Sequence, residues 1–328
     1  MRLKYWITAC AVIVGAGAFI VNISEDKEAS LASPVIRTAK PQLASPVANP
    51  KAEYPVITDI PDLTATSAAI YDLNAHQFIY TKNVHTQQFS ASTSKLMAMY
   101  VIYKRMQADP SLHWSDIVKI TNPAIVKMSQ TPGLGEIPLS LDKGYTAQAL
   151  AANAMVVSSN ESITALGIWA FGSNDAMVNA MNAAANDLQL HQTHFYSVSG
   201  LDVDDVTPYG FHLKNAPKNG RNTSSAYDLT MLSQALLTQF PQILQLTELP
   251  DVTVDDVVHQ STDRYLKGLE FFDPKHGIDG LKTGTTPAAG QVFVGTSSLP
   301  GKHRMITVVM HSDNRFNDTN KLLAAIQR

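Results

Sequence analysis

Cysteine is almost absent: Cys10 stands alone among 328 residues, so no disulfide can form within the chain. The ten histidines fall into no H-E-x-x-H or similar cluster, so no metal site and no cofactor is expected. Charge is sparse, at 16% of residues with a net of -3, and nothing in it suggests nucleic acid as a partner. No internal repeat is present. What is plentiful is apolar sequence: 45% hydrophobic residues suit one large globular domain or two smaller ones.

The N-terminus reads as a targeting segment. Arg2 and Lys4 precede an uncharged apolar stretch from Tyr5 to Ile23, and Glu25, Asp26 and Glu28 follow. The positive residues should stay inside, which places everything downstream outside the cytoplasm. The nineteen residues can just span a bilayer, while Ala16-Gly17-Ala18 offers a small-x-small cleavage site. Residues 1–23 are therefore a signal peptide or an N-terminal membrane anchor. Ile7-Thr8-Ala9-Cys10 resembles a lipoprotein cleavage box but leaves too little apolar sequence before the cysteine. Residues 24–56, with Pro34, Pro41, Pro46, Pro50 and Pro55 among Ala, Ser, Lys and Glu, read as an extended linker. That leaves residues 57–328 as the folded domain.

Within it, residues 67–71 and 77–80 flank Asp72-Leu73-Asn74-Ala75-His76 as a hairpin. A buried helix is expected from Ser92 through Tyr103. Thr146 can cap a helix running through Ala152, and residues 162–171, 174–188 and 225–239 predict further helices. The chain then returns to strands at 291–296 and 305–310, joined by the turn signal Leu299-Pro300-Gly301-Lys302, and a short helix is expected over 322–326. Strands at both ends with helices between them indicate an α+β fold: an antiparallel sheet closed by N- and C-terminal strands, flanked by helices with a helical subregion.

Three short motifs occur in order: Ser92-Thr93-Ser94-Lys95, Ser158-Ser159-Asn160 and Lys282-Thr283-Gly284. Decoys exist. Ser24 to Lys27 runs into acidic residues beside the N-terminal stretch, Ser140 to Lys143 runs into Gly144 as a turn, and Ser312-Asp313-Asn314 lies after K-T-G in the wrong order. Only Ser92 opens an apolar run, Leu96 to Tyr103, long enough for a buried helix. There a nucleophile meets unpaired N–H groups and the positive end of the helix dipole, and Lys95 at i+3 lies on the same face.

The ordered set S-x-x-K, S-x-N, K-T-G is that of penicillin-binding proteins and serine β-lactamases. From Ser67 to Ile326 the chain resembles the low-molecular-mass penicillin-binding proteins, specifically the serine D-alanyl-D-alanine carboxypeptidases of peptidase family S11. The resemblance extends to Ser199-Gly200-Leu201-Asp202, to Asp279 through Thr286, to Ala288-Ala289-Gly290 and to the closing stretch from Arg315 to Leu323. It departs at Tyr265-Leu266-Lys267-Gly268-Leu269, where the family often has an Asn-rich segment, and in the longer stretch from Val203 to Arg221.

The resemblance implies a β-lactamase/penicillin-binding-protein transpeptidase-like fold and attack on an amide carbonyl by a serine hydroxyl. That hydroxyl is a poor nucleophile until a base takes its proton. Ser92 is the expected nucleophile and Lys95 the base, which requires its ammonium to be destabilised by burial or by a second cation, Lys282. Ser158 is expected to relay a proton toward the leaving amine and Asn160 to hold the substrate amide. The N–H groups of Ser92 and Thr285 would form the oxyanion hole. Lys282, Thr283, Gly284, Thr285 and Arg315 would line the pocket for a free C-terminal carboxylate, to which arginine can bind two-pronged. The expected partners are peptidoglycan stem peptides and, as covalent inhibitors, β-lactam antibiotics, with the membrane reached through residues 1–23 if uncleaved.

The β-lactamase alternative needs a glutamate between S-x-N and K-T-G to activate the deacylating water. Glu161, Glu248 and Glu270 are the glutamates there, and none stands in an E-x-x-L-N context. A D,D-endopeptidase would use the same residues on cross-linked peptides. A catalytically silent wall-binding module would have no need of Ser92, Lys95, Ser158, Asn160 and Lys282 together.

Overall fold

The computed structural model describes residues 51–327, so the expectations for the N-terminal segment and for most of the linker fall outside the described residues. The chain is already tied down at its start: the Glu53 N–H donates to Asp72 Oδ2 at 3.0 Å, and the Ile57 N–H donates to the Ile79 carbonyl at 2.8 Å.

Strands β1 (Ser67–Asp72) and β2 (Gln77–Lys82) form the expected hairpin, and β3 (Gln88–Phe89) leads through a 3-10 turn at Ala91–Thr93 into α1 (Ser94–Ala108). The helical subregion contains β4 (Ile117–Lys119), α2 (Pro123–Ser129), β5 (Gly144–Thr146), α3 (Ala147–Val156), α4 (Asn160–Phe171) and α5 (Asn174–Asp187). After α6 (Val203–Val206) and β6 (Thr223–Ser224) come α7 (Ala226–Gln239), α8 (Leu244–Thr247) and the hairpin β7 (Asp251–Val254) and β8 (Val257–Gln260). The chain closes with β9 (Ile278–Thr286), β10 (Gly290–Ser297), β11 (Met305–Ser312) and α9 (Arg315–Ile326).

Five strands form one antiparallel sheet in the order β2-β1-β11-β10-β9, joining the N-terminal hairpin to the C-terminal strands as expected. Side chains alternate across it with the two-residue period of a strand. Ala69, Tyr71, Val292, Val294, Ile306 and Val308 join the large core shared with the helices, whereas Ala68, Ile70, Phe293 and Val309 meet Leu322, Leu323 and Ile326 of α9 on the other face. Helix α1 is buried from Ser94 to Tyr103, apolar on all sides as a central helix must be. Thr146 caps α3, its Oγ1 accepting from the Ala149 N–H at 3.1 Å.

Two readings need adjusting. The last helix begins at Arg315 rather than Leu322, because Asn314 caps it and its first turns are polar: Asn314 Oδ1 accepts from the Asn317 N–H at 3.0 Å, and Asp318 accepts from Ser312, Thr64 and Ala65. The S-x-N decoy at Ser312 thus serves a helix start. The other described decoy is also structural, since Lys143 pairs with Asp255 at 2.8 Å. Strand β9 went unrecognised because its sequence, IDGLKTGTT, carries two glycines and no apolar alternation. It is nonetheless the outer edge of the sheet and holds the K-T-G motif.

Candidate active site

The 3-10 turn before α1 brings Ser92 to the helix opening through a strained link: Ala91 has φ of +46°, a region L residues rarely occupy. Gly200 packs behind it. A Cβ on Gly200 would lie 2.0 Å from the Ala91 carbonyl oxygen, so only glycine fits, and its φ of +91° asks for the same residue. In front, β9 also passes close, though with more room, since a Cβ on Gly284 would lie 3.1 Å from the Ser92 nitrogen. Below the turn, Asn222 donates to Ser94 Oγ at 3.0 Å, and Ser94 in turn meets Ser90 Oγ at 2.9 Å.

Lys95 is wholly buried, with its Nζ 2.9 Å from Ser92 Oγ, 2.7 Å from Asn160 Oδ1 and 2.8 Å from the Ser199 carbonyl. Asn160 is fixed in that orientation because its Nδ2 donates to the Leu134 carbonyl at 2.8 Å. Burial holds the Lys95 amine well below the ordinary lysine range, and the charge of Lys282 pushes the same way. A neutral amine has two N–H bonds and one lone pair. Asn160 Oδ1 and the Ser199 carbonyl can only accept, so they take the two N–H bonds and leave the lone pair for the serine hydroxyl.

Ser158 occupies the α3–α4 turn with a φ of +67°, and the helix cap is its neighbour Ser159, whose Oγ accepts from the Ser162 N–H at 3.1 Å. Glu161 is buried, and its carboxylate accepts from Ser159 Oγ at 2.6 Å and from the Ile137 N–H at 2.6 Å. It ties the loop carrying Leu134 to the start of α4. Lys282 is buried on β9 and donates to the Thr283 carbonyl at 3.2 Å; burial, then Arg315, brings its ammonium down to about 7. Thr283 Oγ1 lies 2.7 Å from Thr262 Oγ1. Arg315 reaches from the first residue of α9 to the Gly284 carbonyl at 2.9 Å, to the Val292 carbonyl at 3.0 Å and to Thr285 Oγ1.

The three motifs therefore converge, with Arg315 against the strand that bears K-T-G. Four contributors escaped the sequence reading as site residues: the carbonyls of Leu134 and Ser199, the buried Glu161, and Asn222. Ser199-Gly200 had a signal, as part of the family resemblance; a backbone acceptor such as Leu134 has none. Among the described residues, no group of three or more His, Cys, Asp or Glu is arranged to hold a metal ion.

A family model described as D-alanyl-D-alanine carboxypeptidase, peptidase S11, matches residues 54–314. The D-alanyl-D-alanine carboxypeptidase DacD of Escherichia coli is 30% identical over 268 residues, covering 80% of this chain and 63% of the relative. The D-alanyl-D-alanine endopeptidase of Escherichia coli is 29% identical, covering 76% of this chain and 72% of that protein. Among solved structures, penicillin-binding protein D2 of Listeria monocytogenes, in its ampicillin-bound form, superposes with a TM-score of 0.64 at 27% identity, covering 82% of this chain and 99% of that one. The chain spans about 63% of the length of DacD and 58% of DacA from Escherichia coli. The architecture is the α+β penicillin-binding-protein fold, and the chain belongs to the S11 family of D-alanyl-D-alanine carboxypeptidases.

Proposed function

We propose that this protein is a serine D-alanyl-D-alanine carboxypeptidase that removes the terminal D-Ala of peptidoglycan stem peptides through an acyl-enzyme on Ser92. One observation carries the reading: a buried lysine amine lies 2.9 Å from the serine hydroxyl with its other two contacts to acceptors only. On this reading Lys95 takes the Ser92 proton as Oγ attacks the carbonyl of the penultimate D-Ala. The oxyanion is held by the N–H groups of Ser92 and Thr285. Ser158 passes a proton to the departing amine, and water then releases the acyl group by the reverse traffic. Asn160 sets the lysine lone pair and keeps a second Nδ2 hydrogen for the substrate amide. Lys282, Thr283, Thr285 and Arg315 take the free carboxylate, with Arg315 suited to a two-pronged grip.

The reading places the catalytic domain outside the cytoplasm, exported or tethered through residues 1–23. β-Lactams would acylate the same serine, as the ampicillin-bound relative suggests. Rapid hydrolysis of that adduct is not expected, because Glu161, next to Asn160, is consumed by Ser159 and the Ile137 amide. The endopeptidase reading uses the same residues, and an endopeptidase stands among the relatives at 29% identity.

The test is intact mass of the protein with excess penicillin, followed by peptide mapping. A lasting adduct on the Ser92 peptide, lost in Ser92→Ala, supports the assignment; folded protein that takes no label refutes it. Release of D-Ala from a monomeric pentapeptide, compared with cleavage of a cross-linked dimer, then separates carboxypeptidase from endopeptidase.

A further inference from the structure

One buried carboxyl near the site has no part in the chemistry above. Asp263 is 4% exposed; its Oδ1 accepts from the Tyr265 N–H at 3.0 Å, and its Oδ2 is buried without a hydrogen-bond partner. An isolated buried carboxylate is costly unless a cation compensates it. The segment bearing it is pinned to the end of α3, where the Thr262 N–H donates to the Val156 carbonyl at 3.0 Å, and to β9 through Thr262 and Thr283. Asp263 and Lys282 are the chain neighbours of the two threonines that make this contact. Lys282 in turn is 1% exposed, and among the described residues its ammonium donates only to the Thr283 carbonyl, at 3.2 Å.

We infer that Asp263 is a positioning residue for the charge on Lys282: its carboxylate, across the Thr262–Thr283 contact, keeps that lysine protonated inside the protein. The inference rests on the active-site reading given above, in which Lys282 must be cationic to hold the substrate carboxylate and to keep Lys95 neutral.

The surrounding charges make such a counter-ion necessary. Arg315, from the start of α9, destabilises the Lys282 cation, and Lys95, from α1, is a further amine in the cluster. Glu136, from the segment between α2 and β5, opposes them at longer range, with His259 on β8 facing that glutamate. Asp279, on β9 itself, is engaged by Arg304 at 2.8 Å and repels the Asp263 charge. Burial lifts the Asp263 carboxyl to about 7, Lys282 opposing the rise.

The experiment is the pH profile of kcat/KM for D-Ala release by Asp263→Asn, which keeps shape and removes charge. The bell should narrow. Without its counter-charge Lys282 loses its proton earlier, so the alkaline limb moves down by about half a pH unit or more, roughly a threefold loss on that side. Lys95, relieved of the neighbouring cation, regains basicity, so the acid limb moves up. A profile superimposable on the parent's, or an equal loss at every pH as a structural role would give, overturns the inference.

A second measurement needs no variant. Carbon-13 NMR of the aspartate carboxyls in the unsubstituted protein should show the Asp263 midpoint rising when a penicillin carboxylate occupies the site and competes for the Lys282 charge. An Asp263 midpoint unmoved by the penicillin would overturn it equally. A parent protein that fails to form the Ser92 adduct refutes the active-site reading itself; an adduct together with an unmoved profile refutes only the role of Asp263.

Discussion

Asn160 presents its Oδ1 to Lys95 at 2.7 Å and cannot present its Nδ2 there, because that group donates to the Leu134 carbonyl at 2.8 Å. The side chain beside the lysine is therefore an acceptor without charge. Asn160→Asp keeps the acceptor and adds the charge, which favours the ammonium form of Lys95. Acylation by a fluorescent penicillin should fall about tenfold at pH 7 for each unit by which the lysine pKa rises, and recover as the pH is raised. Asn160→Ala should slow acylation without that recovery. Identical pH behaviour in the two variants would remove Asn160 from the control of the base.

Gly200 is the residue with least room. An alanine there meets the Ala91 carbonyl oxygen at 2.0 Å, so the turn carrying Ser92 must shift. Displacements of this size cost on the order of a hundredfold in rate even when no reacting group is altered. Gly200→Ala should lose about that much in acylation rate and unfold at a lower temperature. Unchanged acylation would mean that the nucleophile tolerates movement of its support.

Arg315 makes its contacts through the fork of its guanidinium, to the Gly284 and Val292 carbonyls and Thr285 Oγ1. A lysine cannot reproduce that fork. Arg315→Ala and Arg315→Lys should both raise KM for D-Ala peptides, by about ten- to a hundredfold if a charged hydrogen bond to the carboxylate is lost. Substrates whose C-terminal carboxylate is amidated should respond far less. Equal effects on both substrates would assign Arg315 to holding β9 in place.

Far from the cleft, Asp72 lies buried at the end of β1 and accepts from the Glu53, Asn74 and Ala75 N–H groups and the His303 ring. Burial alone would raise its pKa, but these bonds outweigh it and leave the carboxyl below its ordinary value of 3.8. The stability it contributes is therefore full above that ordinary value and is lost as the pH falls through the lower, folded one. Asp72→Asn should destabilise by about 1–3 kcal/mol at neutral pH, with the difference shrinking in acid. Urea unfolding at pH 7 and in the acid range reads this directly; a constant difference would mean that shape rather than charge matters.

The sequence was legible where chemistry sits in side chains at fixed spacing. Ser92 and Lys95 share a helix face; the turn at Gly144 excluded the decoy at Ser140 and motif order the one at Ser312, and both prove structural. It was opaque where chemistry sits in the backbone or in burial. The Ser199 and Leu134 carbonyls carry no residue signature, and Asp263 reads as an ordinary loop aspartate until tertiary packing removes its water. The early start of α9 was hidden because its first turns are polar and its cap, Asn314, belonged to a motif decoy.

Among the described residues strand β9 pairs only with β10, so the sheet ends at the rim that faces Ser92. Such a rim is an unfinished sheet, and an extended peptide laid along it completes the ladder with its own amides. On the function proposed above, recognition would read the direction and handedness of a substrate backbone before its side chains. A rigid bicyclic amide presenting the same few atoms would satisfy this test without being a peptide at all.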